Sequence, residues 1–526
     1  MTPENRKSSS ASQLSAPSKR SSSSPQRAAR ATPLSARANP HLYEINTWAW
    51  LEELSARLGR RVKLADVPDQ EWDALKEHGF DIVWLMGIYQ RSAEARRIAL
   101  EPQMTQAYSR ALPDWRPEDV VGSPYSVPAY KPDPRIGVWR DVDSVRKKLR
   151  ARGMALFLDF VGNHTALDHP WARKNPEFYV QGTQQDLEKD PNAFYRVETK
   201  NGTFFLAHGR DPYFPPWRDT LQLNHFHTGM RAAHLGELVA IAKHCDGVRC
   251  DMAMLQLNDI FGKLWSRFLP QGMMPPATEF WTAAKNALPD LTLLAEAYWG
   301  TEQRLLDSGF SFVYDKELYD AVRDLNLDSV RARLGLPVAA QNHFARFMEN
   351  HDEARCAVAF GGARLQALGT LMSTVPGVRF YHQGELEGRK IQFPIQLRRA
   401  VPENPDPAVV AFFGTILHVT NEDAFHQGSW DLLPVNAVGD ATFGNLIAYE
   451  WRLGSTWKVI VANLSGGASQ GRIPLGDRVI PSQQYVFDDQ LDGVQYQRDG
   501  QELHDSGLFV RRDAFGAHLF DVRPLK

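Results

Sequence analysis

Cysteine is scarce in this chain of 526 residues: three positions, Cys245, Cys250 and Cys356, carry it. An odd and small number gives no disulfide framework, and all three stand beside apolar runs of the kind that become buried strands. A reducing compartment is the expectation, and the cytoplasm suits it. No stretch stays apolar over the ~20 residues that a membrane-spanning helix needs. The N-terminus lacks the apolar run of a secretory signal, so the sequons at Asn163, Asn201 and Asn463 are expected to be unused. An excess of one charge is missing too. With 60 basic against 62 acidic residues the net charge is -2, which argues against nucleic acid or an anionic membrane as the main partner.

Residues 1–39 are short of large apolar side chains and rich in Ser, Ala, Pro and Arg. Such a segment buries too little surface to offset its ordering entropy, which predicts a disordered tail. Its Arg-rich, acid-poor composition also describes an organelle transit peptide, but no amphipathic apolar face supports that reading.

What the chain does have is an ordinary globular composition, 43% hydrophobic, with 14 Trp, 15 Tyr and 27 Phe. Those rings suit stacking on sugars and suit large cores equally. From about residue 42, short apolar runs alternate with amphipathic helical stretches, the pattern of β/α units on a parallel sheet. Strands are expected to begin near Tyr43, Asp81, Met154, Asp246, Leu291, Phe310, Ala345 and Val378. Eight in series point to a closed (β/α)8 barrel over residues 40–405. Asp66 is expected to cap a helix that has Pro68 in its first turn and Gly79 at its end; a second helix is expected from Asp141 to Gly153. After His164 about sixty residues pass before the next helix, far beyond an ordinary βα loop, which predicts an inserted subdomain over 165–225 walling a cleft. Beyond about residue 410 the alternation fades into strand-like runs, predicting an antiparallel, β-sandwich-like domain over 410–526. There, Trp451 and Trp457 offer rings for polysaccharide binding or for packing against the barrel.

In barrels of this kind the chemistry lies at the C-terminal ends of the strands. Four apolar runs end in acids there: Asp159, Asp251, Glu296 and Asp352, accompanied by His164, Arg249 and His351. One such acid is ordinary; four in the same topological position imply a carboxylate-based active site.

The segments that carry them resemble the four signatures of the α-amylase superfamily. Asp159-Phe-Val-Gly-Asn-His164 is similar to the first, Gly247-Val-Arg-Cys-Asp251 to the second, Ala295-Glu296 to the third and Asn350-His351-Asp352 to the fourth. Tyr43-Glu-Ile-Asn-Thr47 and Gly122–Tyr130 echo the family more weakly. The resemblance implies a retaining glycosidase in which Asp251 is the nucleophile, Glu296 the general acid/base and Asp352 the transition-state stabiliser. Retention asks for one ionised and one protonated carboxyl about 5–5.5 Å apart. Arg249, two residues before Asp251 on a strand, shares its face and is expected to keep it ionised; the apolar run around Glu296 is expected to favour its neutral form. By the same resemblance His164 and His351 donate to sugar hydroxyls, Tyr125 stacks beneath the ring, and Asp159 binds sugar indirectly or orders Arg249.

No cofactor is called for. Asn163 matches a calcium ligand of many relatives, which leaves that metal open. The expected substrate is a malto-oligosaccharide or a glycogen-like α-glucan. One departure stands out: where many amylases follow the nucleophile with Lys-His, this chain has Met252-Ala-Met-Leu255. That leaves transglycosylation, or trehalose- or maltose-directed isomerisation, as the alternative to hydrolysis. A non-catalytic scaffold on the same fold is disfavoured by the presence of all three acids.

Overall fold

The computed structural model describes residues 37–525. The expected tail, residues 1–39, lies outside the described residues up to position 36. Beyond that, Arg37 donates to Asp81 at 3.1 Å, and Asn39 accepts the Gly377 N–H at 2.7 Å, so these positions are tied to the barrel.

Eight strands build the centre: β1 His41–Asn46, β2 Ile82–Met86, β3 Ala155–Val161, β4 Gly247–Asp251, β5 Thr292–Ala295, β6 Phe312–Tyr314, β7 Phe344–Phe347 and β8 Val378–His382. Each pairs in parallel with its sequence neighbours and β1 closes on β8, giving the (β/α)8 barrel. Nearly every strand residue is buried, because helices cover the outer face while inward side chains fill the middle. Register sets the site. Asp159 lies opposite Arg249 and Val161 opposite Asp251, so Asp159 and Arg249 project to the same side of the sheet. Ala295 lies opposite Cys250, which places Glu296, the next residue, beside Asp251.

Two helix starts differ from the sequence reading. The helix Asp69–Glu77 begins after Pro68, not at Asp66, whose carboxylate instead accepts the Lys63 N–H at 3.1 Å and closes a short 3-10 turn. The helix Trp139–Ala151 begins two residues before Asp141, which accepts the Val138 N–H at 2.9 Å from the first turn.

The insertion after β3 contains a ladder between His164–Ala166 and Thr220–Gln222 and a three-stranded sheet of Gln181–Gly182, Gly202–Ala207 and Phe194–Thr199. A second long excursion follows β2 and carries the helices Ala93–Ala99 and Pro102–Ala111, which the sequence reading did not anticipate.

The β/α alternation also runs past residue 410, through the helix Pro407–Thr420; antiparallel structure starts at Ser429. There a six-stranded antiparallel sheet faces a two-stranded ladder, Ser469–Ile473 with Leu508–Arg512. One face of the sheet, including Ala448, Val459 and Phe487, packs a core of its own, while Ile447, Tyr449, Trp451 and Leu519 join the barrel's core. Trp451 and Trp457 are both buried. Trp451 donates to the Thr374 carbonyl at 2.6 Å and Trp457 to Glu450 at 2.7 Å, so packing claims both rings and neither is free to stack on a glucan. All three cysteines are buried and unbridged. Among the described residues, no helix is long and apolar enough to cross a membrane.

Candidate active site

Of the residues singled out from the sequence, Tyr125, His164, Asp251, Glu296 and Asp352 line one open cleft of about 1030 Å³. The insertion after β3 walls it with Phe214 and Trp217, and the excursion after β2 adds Ile98 and Met104.

Arg249 organises the floor. It is wholly buried, with its guanidinium 5.3 Å from the Trp84 ring, 5.2 Å from Tyr125 and 5.7 Å from Tyr314. Such faces attract a cation that water no longer reaches. Its Nη1 donates to Asp251 Oδ1 at 2.9 Å. Its Nη2 lies 2.7 Å from Glu296 Oε2, an ion-pair contact out of line for a hydrogen bond. One cation therefore bridges the two expected catalytic acids.

Burial dominates both carboxyls. It raises Asp251 to about 6 against the opposing pull of Arg249, so the guanidinium, expected to keep Asp251 ionised as pH falls, moderates the shift without reversing it. It raises Glu296 to about 7, again against Arg249 and with the help of the nearby Asp251 charge. Both shifts are upward, and the one at Glu296 favours the neutral form that an acid/base of retaining chemistry starts from. Glu296 also shows which oxygen carries its proton. Oε2 faces Arg249 and accepts the Met252 N–H at 2.7 Å, whereas Oε1 meets only the Tyr298 hydroxyl, at 2.8 Å. A hydroxyl can turn from donor to acceptor, so the proton belongs on Oε1.

Asp352 behaves oppositely. Its side chain is 49% exposed in the cleft. Desolvation pushes it up, yet the His351 imidazolium 3.0 Å away outweighs this and holds it at about 2. Burial lowers His351, but Asp352 on one side and Glu44 on the other, with Nδ1 2.5 Å from Glu44 Oε1, raise it well above its usual value. His351 is thus the charged link in a carboxylate–imidazolium–carboxylate chain, with both ring nitrogens already facing partners.

His164 is similarly engaged. Its Nε2 donates to the Tyr125 carbonyl at 3.2 Å and lies 4.0 Å from Asp251, and burial lowers its pKa to about 4, so it is neutral. Tyr125 stacks on His351 with centroids 5.2 Å apart, its hydroxyl 2.8 Å from Nε2. Asp159 does not pair with Arg249: its oxygens accept from Trp84 Nε1 at 3.1 Å and from the Gly87 N–H at 2.6 Å, so it braces β2 against β3.

Comparison with known proteins finds α-amylases. Alpha-amylase 3 of Dictyoglomus thermophilum is 26% identical over 292 residues, 50% of this chain and 53% of that protein. Alpha-amylase MalA of Haloarcula japonica is 23% identical over 358 residues, 65% of this chain and 47% of that protein. The chain thus spans about half the length of these curated relatives. Among solved structures, a noncanonic maltogenic alpha-amylase AmyB from Thermotoga neapolitana superposes with a TM-score of 0.65 at 18% identity, covering 93% of this chain and 99% of that one. No family model matches the chain. The chain is similar to α-amylases in sequence, and its fold is theirs.

Its departures from the α-amylase signatures are local. Of the run that replaces Lys-His, only Met252 lines the cleft; Ala253, Met254 and Leu255 are buried. Met252 and Trp299 both adopt left-handed backbone, at φ 43° and 63°, which non-glycine residues sustain only where their surroundings force it. At Met252 the result is an N–H aimed at Glu296.

The calcium position suggested by Asn163 does not fit that ion. The Asn163 side-chain oxygen already accepts from Gln222 at 2.9 Å, and the side chains bonded into this cluster, Asn163, His164 and Gln222, are uncharged. Among the described residues one cluster of ligating side chains draws together, Asp489, Asp492 and His518, but His518 and two backbone N–H groups already occupy Asp489.

Three groups escaped the sequence reading. Tyr298 stands two residues beyond Glu296, a spacing that puts both on one face of an extended segment and was legible. Glu44, an acid inside an apolar strand, carried a weaker signal. The Met252 N–H left none, because it depends on a backbone angle.

Proposed function

We propose that this chain is a retaining glycoside hydrolase acting on α-1,4-glucosidic bonds of malto-oligosaccharides or glycogen-like glucans. The observation that carries the reading is the bridging of Asp251 and Glu296 by one buried guanidinium, with the nucleophile ionising at about 6 and the acid at about 7.

In the first step the Asp251 carboxylate attacks the anomeric carbon while Glu296 passes its Oε1 proton to the departing glycosidic oxygen. A glycosyl ester on Asp251 and a free sugar end result. In the second step the Glu296 carboxylate, now stabilised by Arg249, Met252 N–H and Tyr298, takes a proton from water. The resulting oxygen attacks the anomeric carbon and releases Asp251. Asp352, held ionised by His351, accepts from sugar hydroxyls and balances the positive charge that develops on the ring.

A second reading, transfer of the glycosyl group to another sugar, is favoured by Met252, which supplies no polar side chain where many amylases offer Lys-His. Hydrolysis and transfer share the intermediate and differ in what reaches it. Chromatography of products from maltoheptaose separates them. Shorter oligosaccharides with steadily rising reducing ends are expected. Products longer than the substrate, or conserved reducing ends, would establish transfer, and inertness toward maltoheptaose, glycogen, maltose and sucrose would remove the α-glucan assignment.

A further inference from the structure

The Gln222 side chain sits at the end of the strand Thr220–Gln222, paired to His164–Ala166 across the root of the insertion. Its amide nitrogen has three oxygen neighbours: Asn163 O at 3.0 Å, Asn163 Oδ1 at 2.9 Å and Leu223 O at 3.1 Å. Two of these are main-chain carbonyls, which only accept, so the side-chain orientation is fixed: nitrogen points into the oxygen cluster. In return Gln222 Oε1 accepts from Asn163 Nδ2 at 3.2 Å. The same Asn163 carbonyl accepts the Leu223 N–H at 3.2 Å. Both side chains are essentially sealed from solvent, Asn163 at 1% and Gln222 at 0% exposure.

A group of converging carbonyl and amide oxygens at the root of an insertion is the kind of site where a hard cation is often found. Calcium, however, takes about 6–8 oxygens at about 2.3–2.6 Å and draws much of its affinity from carboxylates. Here the oxygens are uncharged, and a donor nitrogen stands at their focus.

We propose that the Gln222 amide takes the place of a structural cation, clasping the end of β3 to the inserted subdomain without metal. The clasp holds Asn163, and so its neighbour His164, against the floor of the cleft, 4.0 Å from Asp251. Polar groups in so dry a position are costly when unpaired, and the two N–H groups of the amide are shared among three oxygens, Asn163 Oδ1 among them. This inference does not depend on the glycosidase reading, because its test follows unfolding and bound metal.

The experiment is thermal unfolding of the full chain in EDTA and in millimolar calcium, with Gln222→Glu alongside. The wild-type midpoint is expected to agree within about 1 °C between the two conditions, since a ligand that does not bind the folded state cannot shift it. Elemental analysis of gel-filtered protein should find no stoichiometric calcium. Gln222→Glu directs a carboxylate into the oxygen cluster, where repulsion should lower the midpoint by about 5 °C or more in EDTA. Calcium should recover most of that loss, saturably. A calcium-dependent rise in the wild-type midpoint, or calcium retained at one per chain, would overturn the proposal. So would a folded Gln222→Glu protein that ignores calcium. If that variant folds under neither condition, the wild-type comparison and its metal content decide the matter.

Discussion

At the scale of single residues, the site combines one guanidinium with carboxyls whose environments push them apart. In the proposed mechanism Asp251 is ionised and Glu296 protonated for the first step, so kcat/KM should rise through about pH 6 and fall through about pH 7. A profile flat from pH 5 to pH 8, in these rough bounds, would contradict the assignment. Stability carries the same signature with its own sign. Both groups hold protons in the folded chain at pH values where an unfolded carboxyl, with a pKa of about 4, has lost them. Folding stability therefore falls as pH rises from about 4 toward the folded values of about 6 and about 7. Glu296→Gln removes a charge that burial penalises. It should abolish turnover yet stabilise the fold at about pH 8 by about 1–3 kcal/mol, read as a higher Tm. A lower Tm would show that the Arg249 contact matters more than desolvation. Tyr298→Phe removes the one partner of Oε1, and it should move the alkaline limb of the pH profile while leaving the acid limb in place; equal movement of both limbs would deny Tyr298 its specific contact.

At the scale of elements, the strands were legible because a sheet covered on both faces demands unbroken apolar runs, and all eight starts fall close to their expected positions. Helix starts were less so: Asp66 and Asp141 are good capping residues, but they cap a 3-10 turn and a third helical position instead. The helices after β2 went unread because Ala93–Ala99 and Pro102–Ala111 are short and polar, burying only Ala95, Ala99, Tyr108 and Ala111. The helix Pro407–Thr420 straddles the boundary expected near residue 410, and its run of apolar residues has no clear polar face to mark it from the sequence. Glu44 and His351 illustrate another limit: their contact joins β1 to the loop after β7, across 307 positions of sequence. The turn after β4 offers a direct test at this scale. Met252→Ile places a β-branched side chain on left-handed backbone. It should destabilise the fold by about 1–2 kcal/mol and depress kcat more than it raises KM, as the N–H moves off Glu296. Met252→Gly, which tolerates that backbone freely, should not destabilise. A kcat left untouched by the isoleucine would show that the N–H contact has no catalytic weight.

At the scale of the whole molecule, barrel and C-terminal sheet share one continuous core, and this decides what the sheet's tryptophans do. Trp451, 1% exposed and bonded to Thr374, is part of that core. Trp451→Ala should cost about 3–5 kcal/mol by cavity formation and leave retention on insoluble starch unchanged in protein that remains folded. A loss of starch retention without a loss of stability would restore the binding role that burial denies. The most direct measurement concerns the covalent step. A 2-fluoro-glucosyl donor with a good leaving group slows release of the intermediate more than its formation, so the glycosylated chain accumulates for mass spectrometry and peptide mapping. One sugar unit on the peptide that contains Asp251, absent in Asp251→Asn, is the predicted result. A sugar mapped to Glu296 or Asp352, or an unmodified chain that still turns the donor over, would contradict the mechanism.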